Sequence, residues 1–196
     1  MNISVIVTTY NRPDALSAVL QSLAAQRHTQ FEVLVADDGS GPVTQQLVQN
    51  LAKTFPVSLT HVWQEDIGFR AGAARNKASA QASGDYLIFM DGDCVALPDF
   101  LVQHEKLAEP DWFVAGNRVL LSQSFTKHAL SQQGTALHQR TRLEWLLDRF
   151  SGHINRWLPL LHAGSNAQWR KNAPKRWQGA RTCNLAVWRE DFIAIN

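Results

Sequence analysis

"YLIFMDGDC", residues 86–94, decides the reading of this chain. Tyr86 to Met90 are apolar or aromatic without a break, the pattern of a strand buried on both faces. Asp91 and Asp93 follow at once, around Gly92. In extended geometry residues two apart point to one face, so both carboxylates are expected on the same side, and Gly92 permits a sharp turn. Two carboxylates held close repel unless a proton or a cation sits between them. Oxygen donors suit a hard divalent ion, Mn²⁺ or Mg²⁺, which keeps places for phosphate oxygens. A metal diphosphate is the natural ligand of such a corner. A solvated turn with two acids is the plain alternative.

Working back from that strand, the first hundred residues alternate strand and helix. "ISVIVTT" (3–9), "FEVLVA" (31–36) and "VSLTHVW" (57–63) read as strands. Between them lie amphipathic helices: one after "NRP", with Asn11 placed to cap and Pro13 in the first turn, and one over 43–54. "GFRAGAARNKASAQASG" reads as a third helix, rich in small residues. Strand–helix alternation with continuous apolar strands predicts a largely parallel sheet covered on both faces, an α/β fold. Ligands of such sheets bind beyond the carboxyl ends of the strands. Polar groups gather there: Thr8, Thr9, Tyr10 and Asn11; Asp37, Asp38, Gly39 and Ser40; Glu65, Asp66, Phe69 and Arg70; then Asp91 and Asp93. "DDGS" by itself is equally an Asx turn. Arg70 and Arg75, in or just before the third helix, suit phosphate oxygens, or else a solvated helix face.

The second half differs. Residues 1–100 hold 6 Lys/Arg against 10 Asp/Glu, a balance of −4; residues 101–196 hold 13 against 7, a balance of +6. Six of the seven tryptophans also lie there. Residues 98–110 and 134–150 read as helices, "WFVAGNRVLL" (112–121) as a strand or hairpin, "WRKNAPKRWQG" (169–179) as a loop and "TCNLAVW" (182–188) as a short strand leading into a helix. Arg140, Arg142, Arg149, Arg156, Arg170, Lys171, Lys175, Arg176 and Arg181 alternate with Trp145, Trp157, Trp169 and Trp177. Such a mixture serves a solvated helix with core tryptophans, an acceptor sugar, or an anionic lipid surface; nucleic acid is not expected as a partner. His162 is the one histidine worth watching as a site residue.

A 45% hydrophobic fraction over 196 residues is enough for one packed α/β domain. No apolar run reaches the roughly 18 residues of a membrane span, and no basic leader precedes the first strand. Cys94 and Cys183, without CxxC spacing, read as reduced thiols. The expected location is cytoplasmic, with contact to the inner face of a membrane.

"SVIVTTYNRPDALSAVLQSLAAQ", "FEVLVADDGS" and "GFRAGAARNKASAQASGDYLIFMDGDC", in that order, resemble the nucleotide-binding half of glycosyltransferase family 2, with its GT-A fold. "RTCNLAVWREDF" (181–192) more weakly resembles the acceptor-side segment of the chondroitin-polymerase and galactosyltransferase-like branch. The resemblance implies residues 1–100 as the nucleotide-sugar-binding half and 101–196 as the acceptor-side half of one GT-A domain. It implies inverting transfer from a nucleotide diphosphate donor, most often a UDP-sugar, to a saccharide or lipid-linked acceptor in surface-glycan synthesis. Thr8 and Tyr10 would border the nucleoside, with Asn11 beside them, and Asp38 the uracil edge, with Asp37 adjacent. Arg70 would approach the diphosphate, Asp91 the ribose or the metal, and Asp93 the metal; Asn184 would lie on the acceptor side. Inverting transfer also needs a carboxylate base. The family places it after a Gly-Phe-Asp-Glu-like turn, expected beyond Asn196, a position that Glu190 and Asp191 do not fit, so the chain reads as truncated. The alternatives are a catalytically silent nucleotide-binding module and a sugar-nucleotide pyrophosphorylase. The latter normally opens with a Gly-rich basic loop that "TTYNRP" lacks.

Overall fold

The computed structural model describes residues 1–157 and 180–195. The buried strand at the centre of the sequence reading is β4 (Tyr86–Asp91), flanked by β1 (Ile3–Thr9) and β6 (Leu185–Trp188). With β2 (Phe31–Asp37), β3 (Leu59–Trp63) and β5 (Val114–Ala115) they form a single sheet in the order β3-β2-β1-β4-β6-β5. The first four strands are parallel, while β6 runs antiparallel to both β4 and β5. The expected α/β architecture is therefore present, and β6 joins the second half of the chain to the sheet of the first.

Alternation along the strands explains the two layers of helix. Ile3, Val5 and Val7 of β1, with Val33 and Val35 of β2, bury one face against Leu16, Val19, Leu20 and Leu23 of α1 (Pro13–Ala24) and Val48 of α2 (Pro42–Ala52). Leu101 of α4 (Phe100–Leu107) closes the same face. Ile6, Leu34 and Ala36 point the other way, onto Ala74 and Ala78 of α3 (Ala71–Gln81). The buried face of α3 carries only small residues, Ala71, Ala74, Ala78 and Ser79, which lets the helix lie close to the sheet.

A satellite cluster of Phe125, Ala129, Leu137, Trp145 and Ile154 is built by α5 (Gln123–Ser131), α6 (Thr135–His138) and α7 (Arg142–Phe150). Here the structure departs from the sequence reading. The single helix expected over 134–150 is two, because Thr141 starts a new one. Its hydroxyl accepts the Glu144 N–H, and the Glu144 carboxylate accepts the Thr141 N–H, a reciprocal cap. α5, opened by the Ser122 hydroxyl accepting the Phe125 N–H, was not anticipated. The strand expected over 112–121 shrinks to Val114–Ala115 plus an isolated bridge from Leu121 to Ile154. The 169–179 loop, His162, Trp169, Trp177, Arg170, Lys171, Lys175 and Arg176 lie outside the described residues.

The close seat of α3 generates a test. Ala78→Leu must push the helix off the sheet and is expected to cost about 1–3 kcal/mol, whereas Ala73→Leu on the exposed side of the same helix should stay within about 0.5 kcal/mol. Urea denaturation of the two variants measures the contrast; equal effects would mean that the buried face of α3 is misassigned.

Candidate functional site

The site lies along the carboxyl ends of the parallel strands. Gly92 opens it. Its N–H donates to the Thr8 carbonyl at 2.7 Å, and a Cβ there would sit 2.7 Å from that oxygen and 3.2 Å from Thr9 Cβ. Only glycine allows the chain to leave β4 this close to the end of β1. The strand stops at Asp91, and the Cys94 N–H closes a turn onto the Asp91 carbonyl at 3.0 Å. Asp91 and Asp93 thus converge through a turn rather than along an extended strand, which corrects the expected geometry. The ligand atoms of Asp91, Asp93 and Cys94 all lie within 4.8 Å of one another.

The acids of this edge are compensated unequally. Asp37 is fully buried: its carboxylate accepts the Ser40 N–H at 2.8 Å and meets His61 Nε2 at 2.7 Å. Burial opposes its charge, but the bonds from His61 and Ser40 outweigh that and hold the carboxyl below its usual range. Asp37 therefore pins the DDGS turn to β3. Asp38, also buried, accepts the Arg70 N–H at 2.8 Å and the Gln64 side-chain amide at 2.6 Å. Asp91 is held from two sides, by Arg75 at 3.2 Å and Arg118 at 3.9 Å. Asp93 is exposed and touches the Cys94 thiol at 3.6 Å; among the described residues no cation pairs with it. Burial first, then Asp93 and Asp91, push the Cys94 thiol up to about 12, so the oxygens carry the corner's negative charge. That oxygen set fits a hard divalent cation, and Asp91 and Asp93 would hold it.

The β1–β3 end of the site is built from loops. Gly39, at φ +96, has no room for a side chain, since a Cβ would lie 2.6 Å from Asp66. Asp66 in turn accepts the Tyr10 hydroxyl at 2.9 Å, which raises the Tyr10 phenol above its ordinary value. Asn11 does not cap α1. It sits at φ 48, accepts the Gly41 N–H through its side chain at 3.0 Å, and its own N–H donates to Ser40 Oγ at 2.9 Å. It ties the loop after β1 to the loop after β2. Among the described residues the buried Thr8 hydroxyl has no hydrogen-bond partner. Arg70 turns its guanidinium to the Glu65 carbonyl at 3.1 Å. Phe69 stands 95% exposed at the rim.

Topology brings the far segments to the same edge. Because β6 is antiparallel to β4, the residues just before β6 emerge beside Asp91, and because β5 runs with β4, so do those just after β5. Asn184 arrives this way. Its Oδ1 meets His104 Nε2 at 2.9 Å, and its Nδ2 donates to the Asn117 carbonyl at 3.2 Å. Glu190 and Asp191 open α8 (Arg189–Ala194), after β6, at the opposite edge of the sheet. Sequence reasoning missed Gln64, His61 and Arg118. His61 lies within a weak strand and Gln64 just after it, and both look like ordinary polar residues. Arg118 belongs to a segment whose direction only the sheet order supplies.

A parallel sheet with acids and arginines at its carboxyl edge and an antiparallel strand closing one side defines a GT-A-type domain. The family description "Glycosyl transferase family 2" matches residues 4–184, and the chain belongs to that family. The pyrophosphorylase alternative falls with that membership. The chain is 37% identical over 101 residues to validoxylamine A glucosyltransferase of Streptomyces hygroscopicus subsp. jinggangensis, covering 50% of this chain and 24% of that protein. It is 39% identical over 114 residues to hyaluronan synthase of Pasteurella multocida, covering 56% of this chain and 11% of that protein. The chain thus spans a quarter or less of these relatives. Among solved structures, a mannosyltransferase from Pyrobaculum calidifontis in complex with GDP-Man and Mn²⁺ superposes with TM-score 0.54 at 29% identity, over 59% of this chain and 35% of that one. Staphylococcus aureus TarS in complex with UDP-GlcNAc superposes with TM-score 0.50 at 34% identity, over 55% and 31%.

The buried joint between α4 and β6 is acid-sensitive. Burial lowers His104 to about 4, only partly opposed by the bond to Asn184. An amide oxygen only accepts, so Nε2 carries the proton, and among the described residues Nδ1 has no partner. The unfolded imidazole, near 6.5, binds a proton that the folded one refuses, so stability present above 6.5 is lost as the pH falls toward 4. Lowering the pH from 7 to 5 is expected to remove about 2 kcal/mol through this group alone. Urea unfolding at both pH values should show that loss in the native chain and a smaller one in His104→Gln.

Proposed function

We propose that this chain forms the donor-binding domain of an inverting glycosyltransferase that uses a nucleotide diphosphate sugar, in the first instance a UDP-sugar, with Mn²⁺ or Mg²⁺. The acceptor would be a saccharide or lipid-linked glycan in surface-polysaccharide synthesis at the inner face of a membrane. The observation that carries the reading is the gathering of Asp38, Arg75, Asp91 and Asp93 at one sheet edge, with the exposed Asp93 pairing with no cation among the described residues. Solved relatives bound to GDP-Man with Mn²⁺ and to UDP-GlcNAc support the donor class. A relative whose name makes it a poly(ribitol-phosphate) β-N-acetylglucosaminyltransferase supports a surface-glycan acceptor.

In this reading Tyr10 and the Thr8 hydroxyl border the nucleoside, and Asp38 keeps unused lone pairs for a base N–H. Asn11 and Asp37 shape that pocket from behind. Arg75 holds the Asp91 carboxylate in place, and Arg70 lies within reach of the diphosphate once its guanidinium leaves the Glu65 carbonyl. Asn184 faces the acceptor side. A divalent ion at Asp91 and Asp93 would supply Lewis-acid stabilisation of the departing diphosphate. Glu190 and Asp191 stand at the wrong edge to deprotonate an acceptor, so the base comes from another carboxylate.

Calorimetric titration of UDP in Mn²⁺ and then in EDTA, on the native chain and on Asp93→Ala, tests the donor site. Binding is expected to weaken at least tenfold in EDTA and in the variant. Equal binding in all conditions would remove the metal from the reading, and no binding of UDP or GDP in any would remove the donor site.

The membrane contact rests on α7. Leu143, Leu147 and Phe150 recur at i, i+4 and i+7, all exposed, opposite the buried Trp145 and Asp148, with Arg142 and Arg149 along one side of the stripe. An exposed apolar stripe with a cationic border suits an anionic bilayer surface. No helix among the described residues is long and apolar enough to cross a membrane. Sedimentation with vesicles containing phosphatidylglycerol is expected to carry the chain down at low salt. Leu147→Ser with Phe150→Ser should abolish this, and unchanged sedimentation would assign the stripe to another contact.

A further inference from the structure

Three arginines surround one small cavity beside the acidic corner. Gly116, Asn117 and Arg118, which follow β5, form one wall; Arg181 and Cys183, which precede β6, form another; Arg156 closes the third side. The cavity has a volume of about 140 Å³. A single water needs only about 10–15 Å³ by the same kind of measure, so there is room for a phosphoryl group but not for a nucleotide.

Among the described residues the charges around it are not balanced. Arg118 reaches Asp91 only at 3.9 Å, and that carboxylate is already engaged by Arg75 at 3.2 Å. Among the described residues Arg156 and Arg181 pair with no carboxylate. Three like charges around one cavity repel, and an anion between them relieves that repulsion. Guanidinium groups present planar forks of N–H donors that match phosphate oxygens two at a time.

The wall is also held in advance. The Gly116 N–H donates to the Asn184 carbonyl at 2.8 Å, and a Cβ on residue 116 would collide with the Asn184 side chain. That side chain is clamped by His104 and by the Asn117 carbonyl. The cavity lies on the β5–β6 side of Asp91, whereas Tyr10, Asp38 and Arg70 lie on the β1–β3 side. A donor laid from Asp38 to Asp93 would leave it open.

We infer that this cavity, lined by Arg118, Arg156 and Arg181, is a phosphoryl-binding subsite for an acceptor that carries a phosphate ester. It lies next to the donor's diphosphate and is separate from it. The inference rests on the donor reading only for the word acceptor; anion binding by the cavity stands independently. The same chemistry could come from the donor's own diphosphate, and the experiment separates the two sources.

Inorganic phosphate is titrated into the full chain in EDTA at 150 mM salt and followed by ³¹P NMR, and UDP is titrated with Mn²⁺ by calorimetry. The native chain, Arg156→Ala with Arg181→Ala, Arg156→Lys with Arg181→Lys, and Asp93→Ala are compared, with thermal melts reporting folding. Phosphate binding is expected to fall at least tenfold in the alanine pair and less in the lysine pair, which keeps charge and loses the fork. It should persist in Asp93→Ala. UDP–Mn²⁺ binding should change less than twofold in the alanine pair, and saturating UDP–Mn²⁺ should not displace phosphate. Parallel loss of phosphate and UDP, or displacement of one by the other, would give the cavity to the donor diphosphate and overturn the acceptor assignment. Phosphate binding that ignores both arginine pairs, or no phosphate binding in the native chain, would overturn the subsite. Loss of UDP binding throughout with arginine-dependent phosphate binding retained would count against the donor reading alone.

Discussion

The 2.7 Å hydrogen bond from the Gly92 N–H to the Thr8 carbonyl is the contact on which the site depends. It lets β4 end in a turn pressed against the end of β1, where any Cβ would meet backbone. Asp91, Asp93 and Cys94 owe their convergence to that turn. β1 is a central strand, fully buried and paired on both sides, so the position of the turn is transmitted from the core rather than set by the loop.

The electrostatics of the edge grade along the sheet. At β2 the protein satisfies its own acids: Asp37 with His61 and Ser40, Asp38 with Gln64 and the Arg70 N–H. At β4 the compensation is partial for Asp91, and Asp93 has none among the described residues. Beyond β4 the sign reverses, with three arginines around one cavity. Buried carboxylates at the β2 end must be satisfied internally because desolvation leaves them no other partner. The exposed Asp93 and the exposed arginines keep their charge at little cost, and it is available to ligands.

How much of this was legible differs by region. The strands and helices of the first hundred residues read correctly because local signals agree: β-branched apolar runs, a proline in the first turn of α1, and small residues on α3. The two-residue spacing of Asp91 and Asp93 anticipated that the two carboxylates converge but through the wrong geometry, since the strand ends at Asp91 and a turn brings them together. Asn11 carried the signature of a helix cap and instead joins two loops, a contact across 30 residues that no local rule contains. In the second half, the helix over 134–150 broke at Thr141 because the cap outweighed the continuous amphipathic pattern.

The sequence by itself determined the fold class, the run of parallel strands and the carboxyl edge as the place of the site, because hydrophobic period and turn chemistry are local properties. It also singled out Asp38, Asp91 and Asp93 by residue type and position. Only the tertiary structure decided that β6 enters antiparallel beside β4. That direction sets Asn184, Arg118, Arg156 and Arg181 near the acids and sends Glu190 and Asp191 to the far edge. Strand direction at a sheet edge follows from long-range packing and hydrogen-bond pairing, and a one-dimensional pattern of residues does not carry it.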